Sequence, residues 1–340
     1  MRPFFHNRCV VLVALGVLVA LGVASPGPAI AGSHQVARAR VTSAAPKVAI
    51  TSPKAQTYPS NRRLLVKFSC ASGSGIASCT ASLAGPGLTA RPVRSGSRIG
   101  PAKTGSYSLR VTALDRRGKT TTSTVAFLFA RAISWSGYTW FVRHPGRGGP
   151  GPNNWSDSAA NVRKSGSYLV LSVVKDQSGH WASAEVDNQR HLGYGTYRWV
   201  VSSDLSTADP FQVLGMFTYG EFGTSIDEID IEPSQWGNTL ALTGSAVVWQ
   251  DVRTFMREYN TFRYSNDPPY VNQFTWSPGK VSFLVTDATG AVLLDWTVTT
   301  GVPIPSSEVP IINYWRFHNV RPGRVTSVRI ASFTWTPLGR

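Results

Sequence analysis

The chain has 340 residues and a formal net charge of +16, from 34 Lys and Arg against 18 Asp and Glu. A charge of that size suggests a nucleic-acid binder, but it is confined to one part: residues 32–130 hold 15 basic residues and the single acid Asp115, whereas residues 131–340 hold 17 of each sign. All eleven tryptophans, Trp135 to Trp335, lie in the neutral part, which argues against a nucleic-acid partner and for two domains with different surfaces.

The first 31 residues run from a basic start (Arg2, Arg8) through an apolar stretch, Cys9 to Ala24, to the small-residue site Ala29-Ile30-Ala31. That order is the pattern of a secretory signal peptide. An uncleaved anchor is the alternative, although the apolar run is short for a spanning helix. The expected mature protein is secreted and extracellular, with no membrane contact after cleavage. Residues 32–46, rich in Ala, Ser, Arg and Val without period, read as a flexible leader.

Residues 47–130 alternate short strand-like segments (Val48 to Thr51, Leu64 to Ser69, Ser106 to Ala113, Thr121 to Phe127) with Gly, Pro and Ser clusters, which predicts a small β-sandwich. Cys9 lies in the signal, so Cys70 and Cys79 are the only pair left for an oxidising compartment and are expected to form a disulfide. It would close a loop of about ten residues, worth about 2.5 kcal/mol in the chain-entropy model. Two cysteines without a neighbouring histidine do not make a structural zinc site. The segments Ile50 to Pro53, Phe68 to Cys70, Ser74 to Cys79 and Gly105 to Tyr107 with Val111 to Ala113 resemble bacterial immunoglobulin-like accessory modules; Asp115, Gly118 and Lys119 keep part of their Asp-x-x-Gly-Asn turn. The resemblance implies a spacer or binder, and the charge points to an anionic partner such as a cell-envelope polymer, a soluble basic spacer being the alternative.

Residues 131–340 contain about a dozen strand-like runs, among them Tyr168 to Val174, Tyr197 to Val201, Val213 to Tyr219, Glu228 to Glu232, Lys280 to Val285, Ala291 to Val298 and Val325 to Phe333. Only Asp251 to Tyr259 hints at a helical turn. Short strands over this length suit a two-sheet jelly roll, so the expected class is all-β throughout.

Within this part, residues 228–232 read Glu-Ile-Asp-Ile-Glu. Strand alternation puts Glu228, Asp230 and Glu232 on one face and both isoleucines on the other. Like charges at neighbouring positions on one face repel, and glycoside hydrolysis is a chemistry that uses such a group: one carboxylate attacks or stabilises the sugar cation and another protonates the leaving oxygen. A merely solvated acidic face is the bland alternative.

The order of the flanking motifs resembles glycoside hydrolase family 16, the concanavalin A-like jelly-roll enzymes that include lichenases and laminarinases. Asn161-Val162 with Gly166 and Leu169 to Leu171, Ala184-Glu185-Val186, Tyr194 to Tyr197, Met216 to Tyr219, Asp227 to Glu232, Phe274 to Gly279 with Val281 to Phe283, and Asn313-Tyr314-Trp315 carry the likeness. Carried over residue by residue, it makes Glu228 the nucleophile, Asp230 the residue that orients and tunes, and Glu232 the acid/base. It further implies Asn154, Glu185, Asn313 and Trp315 as substrate contacts. Trp181 and Trp236 are candidates for sugar stacking as well as for packing. Trp276 and Trp296 are expected in the core, and His180 and His191 on the surface.

Backbone rise separates the Cα atoms of Glu228 and Glu232 by about 13 Å, so their side chains must lean together to reach the about 5.5 Å of a retaining pair. Spacing alone leaves an inverting pair open; retention is what the resemblance implies. Asp187 stands where related enzymes often have arginine, and Ile226 where lichenases place tryptophan. The resemblance implies an endo-acting β-glucan hydrolase on a polysaccharide substrate, with a transglycosylase or a non-catalytic polysaccharide-binding or adhesion protein as alternatives. No cofactor is required by that chemistry. Related jelly rolls hold a structural calcium through backbone oxygens, a site without a sequence trace.

For Asp230, two states are open. Ionised at about 7 Å in an effective dielectric near 20, it would raise the pKa of Glu232 by more than one unit; protonated, it would share a hydrogen bond with Glu228 and leave Glu232 alone.

Overall fold

The computed structural model describes residues 44–222, 225–226, 228–251, 256–323 and 326–339. The expected signal peptide, the leader up to residue 43 and Asp227 lie outside the described residues, as do the side chains of Glu221, Phe222, Ser225, Ile226 and Asp251. Among the described residues the chain is all-β, with a single 3₁₀ turn at Phe317–Asn319 and no α-helix.

In the basic part, strands Thr57–Pro59, Thr120–Ala130, Gly105–Asp115, Ile76–Gly85 and Leu88–Val93 form a sheet in that order, and Lys47–Ser52 pairs antiparallel with Lys67–Ala71. Their inward residues make a separate core in which Val66, Leu109, Val111 and Phe129 have no exposed surface. The run from Leu64 to Ser69 is not one strand: the chain breaks at fully buried Val66, between Leu64–Leu65 and Lys67–Ala71. Cys70 and Cys79 are disulfide-bonded, which ties the two sheets together. Asp115 organises its turn, accepting from the backbone N–H groups of Arg117 and Lys119 at 2.9 and 2.8 Å and from Ser74 Oγ at 2.8 Å.

The tryptophan-rich part is a two-sheet jelly roll. One sheet runs Val162–Ser165, Tyr168–Ser172, Ser327–Pro337, Gly195–Val201, Tyr270–Ser277, Lys280–Thr286, Val292–Val298. The other contains, in chain order, β1 (Trp181–Asp187), β2 (Gln212–Tyr219), β3 (Ile229–Pro233), β4 (Gly244–Asp251), β5 (Met256–Phe262) and β6 (Val309–Arg316), arranged β1-β6-β2-β3-β4-β5 beside the hairpin Ala132–Trp135/Tyr138–Val142. Facing side chains, including Trp140, Trp199, Trp276, Phe274 and Phe333, fill the space between the sheets. Trp276 is fully buried and Trp296 stacks on Phe283 at 5.3 Å, so both serve the core.

Where the helical hint at Asp251 to Tyr259 falls on described residues it is strand: Asp251 ends Gly244–Asp251 and Met256 begins Met256–Phe262, while residues 252–255 lie outside the described residues. Its apolar spacing fits a helix locally, but pairing with β4 from Gly244↔Phe262 to Asp251↔Met256 satisfies its backbone in the sheet.

Candidate active site

The site is built by alternation across the outer face of the β1–β6 sheet. Ile229 and Ile231 have no exposed surface and belong to the main core, which turns Glu228, Asp230 and Glu232 to the opposite face. The neighbouring strands hold β3 in place: Phe217 of β2 and Val247 of β4 lie opposite Asp230, Ser245 lies opposite Glu232, and Trp249 N–H donates to the Glu228 carbonyl at 3.1 Å. Glu228 and Glu232 are half-buried, while Asp230 between them is buried.

The three carboxyls are not equivalent. Burial, reinforced by the charges of Glu228 and Glu232, pushes the Asp230 carboxyl well above the usual carboxylate range, and the donated bond from Trp249 only partly opposes this. Protonated Asp230 fits its partners: Oδ2 accepts from Trp249 Nε1 at 2.8 Å, and the side chain is hydrogen-bonded to Glu228. The Glu232 carboxyl is pushed up to about 7, again by burial, with Arg257 pulling it down. Of the two states open for Asp230, the raised carboxyl favours the protonated one, in which burial and not a neighbouring charge raises Glu232.

Glu185 sits in a buried polar cluster. Its Oε2 accepts from Arg143 Nη1 at 3.2 Å and from Asn313 Nδ2 at 3.4 Å, and it has no exposed surface. Arg143 lies over the Trp155 ring at 4.1 Å. Asn313 Oδ1 accepts from Gly215 N–H at 3.1 Å, and a Cβ on Gly215 would stand 2.4 Å from that oxygen. Since Met216 opposes Ile231, the register carries this cluster across to the level of Glu232.

The expected substrate contacts therefore divide. Glu185 and Asn313 are bonded to one another and to Arg143 and Gly215, and both side chains are buried. Trp315, 3 % exposed, packs with Trp155, Val213 and Phe317, and half-buried Trp236 joins that group edge-on at 6.0 Å from Trp315. Trp181 packs against the main core with Lys175 over its ring. Asn154 is turned by alternation to the other side of its strand from Asn153 and Trp155. Its neighbour Asn153 is the buried link, donating to the carbonyls of Pro150 and Arg316 and accepting from Ser183 Oγ. Asp187 is buried and accepts from Gln189 Nε2. His180 and His191 are exposed.

Trp249, Arg257 and Tyr259 were not singled out by sequence reasoning. Their alternation with core-facing Val248, Ala246 and Phe262 was legible, but nothing in it placed them beside β3. Among the described residues no group of three His, Cys, Asp or Glu is placed to hold a metal ion.

No family model and no curated protein matches the chain. Similar solved structures include a β-glucanase of Bacillus licheniformis, 19 % identical over 58 % of this chain and 91 % of that one, with a TM-score of 0.46. Another is a prokaryotic β-1,3-1,4-glucanase (lichenase) from a mouse hindgut metagenome, 22 % identical over 58 % and 90 %, TM-score 0.43. A third is an immunostimulatory antigen and pseudo β-1,3-glucanase of Mycobacterium tuberculosis, 19 % identical over 56 % and 88 %, TM-score 0.44.

Proposed function

We propose that residues 131–340 form a secreted, endo-acting glycoside hydrolase that cleaves β-glucan by double displacement. What supports the reading is the carboxyl face of β3: half-buried Glu228 and Glu232 flank a buried Asp230 that is hydrogen-bonded to Glu228, and burial pushes the Glu232 carboxyl up to about 7 and Asp230 well above the usual carboxylate range. A group at about 7 can donate and then recover a proton near neutral pH, which a general acid/base requires.

In the first step Glu232 gives its proton to the glycosidic oxygen as the Glu228 carboxylate attacks the anomeric carbon. The C–O bond to the leaving sugar breaks and a glycosyl ester on Glu228 forms. Asp230 donates its hydrogen bond to Glu228, orienting the nucleophile and then stabilising the carboxylate as it is released. In the second step ionised Glu232 takes a proton from water, whose oxygen attacks the anomeric carbon and frees Glu228. A sugar hydroxyl in place of water would make the same site a transglycosylase.

Reducing-end release from lichenan, laminarin, agar and xyloglucan tests the reading, with Glu228→Gln and Glu232→Gln as controls. Hydrolysis of at least one polymer, lowered by several orders of magnitude in each folded variant, supports it. Binding without hydrolysis across the panel supports a non-catalytic adhesion protein instead, and a folded variant that keeps substantial activity removes that residue from the mechanism.

A further inference from the structure

The face that carries the carboxylates is closed on one side and open on the other. Toward β6 and β1, the side chains of Glu185, Asn313, Val213 and Trp315 are at most 3 % exposed. Toward β5, Tyr259 is 51 % exposed and Arg257 is exposed too. On β4 between them, Ser245 and Val247 are buried and Trp249 is half-buried, so among the described residues the exposed side chains nearest the carboxyls on this side belong to β5.

Register and alternation place both residues on the carboxylate face. Trp249 opposes Arg257, and Val247, itself opposite Asp230, opposes Tyr259. Phe262 enters the core and Glu258 accepts from Gln250 on the core-facing side, which leaves Arg257 and Tyr259 on the open face. Arg257 rests over the Trp249 ring at 5.1 Å, and that indole donates to Asp230. Among the described residues Arg257 makes no ion pair with an acid, whereas Arg143 at the closed side is neutralised by Glu185. A guanidinium seated on an aromatic ring keeps its donors in a planar fork suited to an oxyanion. Beside it, an exposed phenol offers a face for a sugar ring.

We propose that Arg257 and Tyr259 form a subsite for a sugar bearing an oxyanion, a carboxylate or a sulfate ester, so that among β-glucans the cleft binds acid-substituted chains more tightly than unsubstituted ones. The subsite rests on the reading of β3 as the reactive centre for its place in the reaction, while its recognition chemistry is measurable by binding alone. Arg257 also lowers the pKa of Glu232, so catalytic rate is an ambiguous readout and affinity is the decisive one.

The experiment uses the full chain with Glu228→Gln, so that no ligand is consumed. Three sets of β-glucan oligosaccharides are titrated: neutral, carboxylated at C6, and sulfated at C6. The expected result is binding of at least one anionic set tenfold or more tighter than the neutral one, an advantage that falls with salt. Adding Arg257→Gln should remove most of that advantage, Arg257→Lys should restore part of it, and Tyr259→Ala should weaken all three sets. Which anionic set binds better identifies the oxyanion. The basic N-terminal part contributes equally to the variants, so only the Arg257-dependent difference counts. Equal affinity for neutral and anionic sets, or a preference that survives Arg257→Gln in a folded protein, overturns the proposal. Absence of hydrolysis with the preference intact would sink the catalytic reading and leave the subsite standing.

Discussion

Trp249 Nε1 donates to Asp230 Oδ2 at 2.8 Å, and this bond from one strand to the next holds the central carboxyl of β3 in place while its proton serves Glu228. The indole is itself covered by the Arg257 guanidinium. In the proposed mechanism Glu228 is thus positioned through protonated Asp230 and an aromatic donor, not through a fixed charge.

The consequence for pH dependence is direct. Glu232 must be protonated to act as the acid, so kcat/KM should fall as pH rises through about 7. Asp230→Asn should lower kcat without moving that alkaline limb, because a neutral residue is replaced by another. A limb displaced to lower pH would restore the charge-tuning account of Asp230.

The same raised carboxyl carries a stability cost with a defined sign. The folded protein binds the Glu232 proton more tightly than the unfolded chain, so stability present below about 4.5 is lost as pH rises to about 7. Moving the group from 4.5 to about 7 is worth on the order of 3 kcal/mol. Glu232→Gln should therefore raise Tm relative to the wild type at pH 8 and have little effect at pH 4. An equal change at both would mean that the substitution acts through packing.

Arg143→Met should cost about 3–5 kcal/mol in urea unfolding at neutral pH, because it leaves the fully buried Glu185 carboxylate without its cation. Adding Glu185→Gln should recover part of that loss. If the double variant is no more stable than Arg143→Met alone, the ion pair is not the source of the cost.

Gly215→Ala should cost about 1–3 kcal/mol, since its Cβ would meet Asn313 Oδ1 at 2.4 Å and the amide must leave its place between Gly215 and Glu185. The displacement occurs at the level of Glu232, so kcat/KM should fall as well. An Asn313→Ala background should relieve the clash, which a double-mutant cycle would detect.

For the basic part, removal of residues 47–130 should abolish salt-sensitive binding to cell-wall material while activity on soluble substrate persists. Unchanged wall binding would assign these residues a spacer role.

The sequence by itself determined what depends on period and composition. The alternation of Glu228 to Glu232 sent two isoleucines inward and three carboxyls outward, and with Cys9 in the expected signal peptide the cysteine count left one pair, Cys70 and Cys79, for a disulfide. The all-β class followed from the same short alternating runs. Tertiary structure decided everything that depends on register and burial. Only the pairing of β3 with β4 brings Trp249 to Asp230, and only the pairing of β4 with β5 brings Arg257 to Trp249. Only the folded surroundings, burial first and then the neighbouring carboxyls, push Asp230 well above the usual carboxylate range, and only folding buries Glu185 against Arg143. A one-residue slip of any pairing would leave the sequence pattern intact and send each of these side chains to the other face, because strand alternation has period two while contact across strands depends on which residues stand opposite.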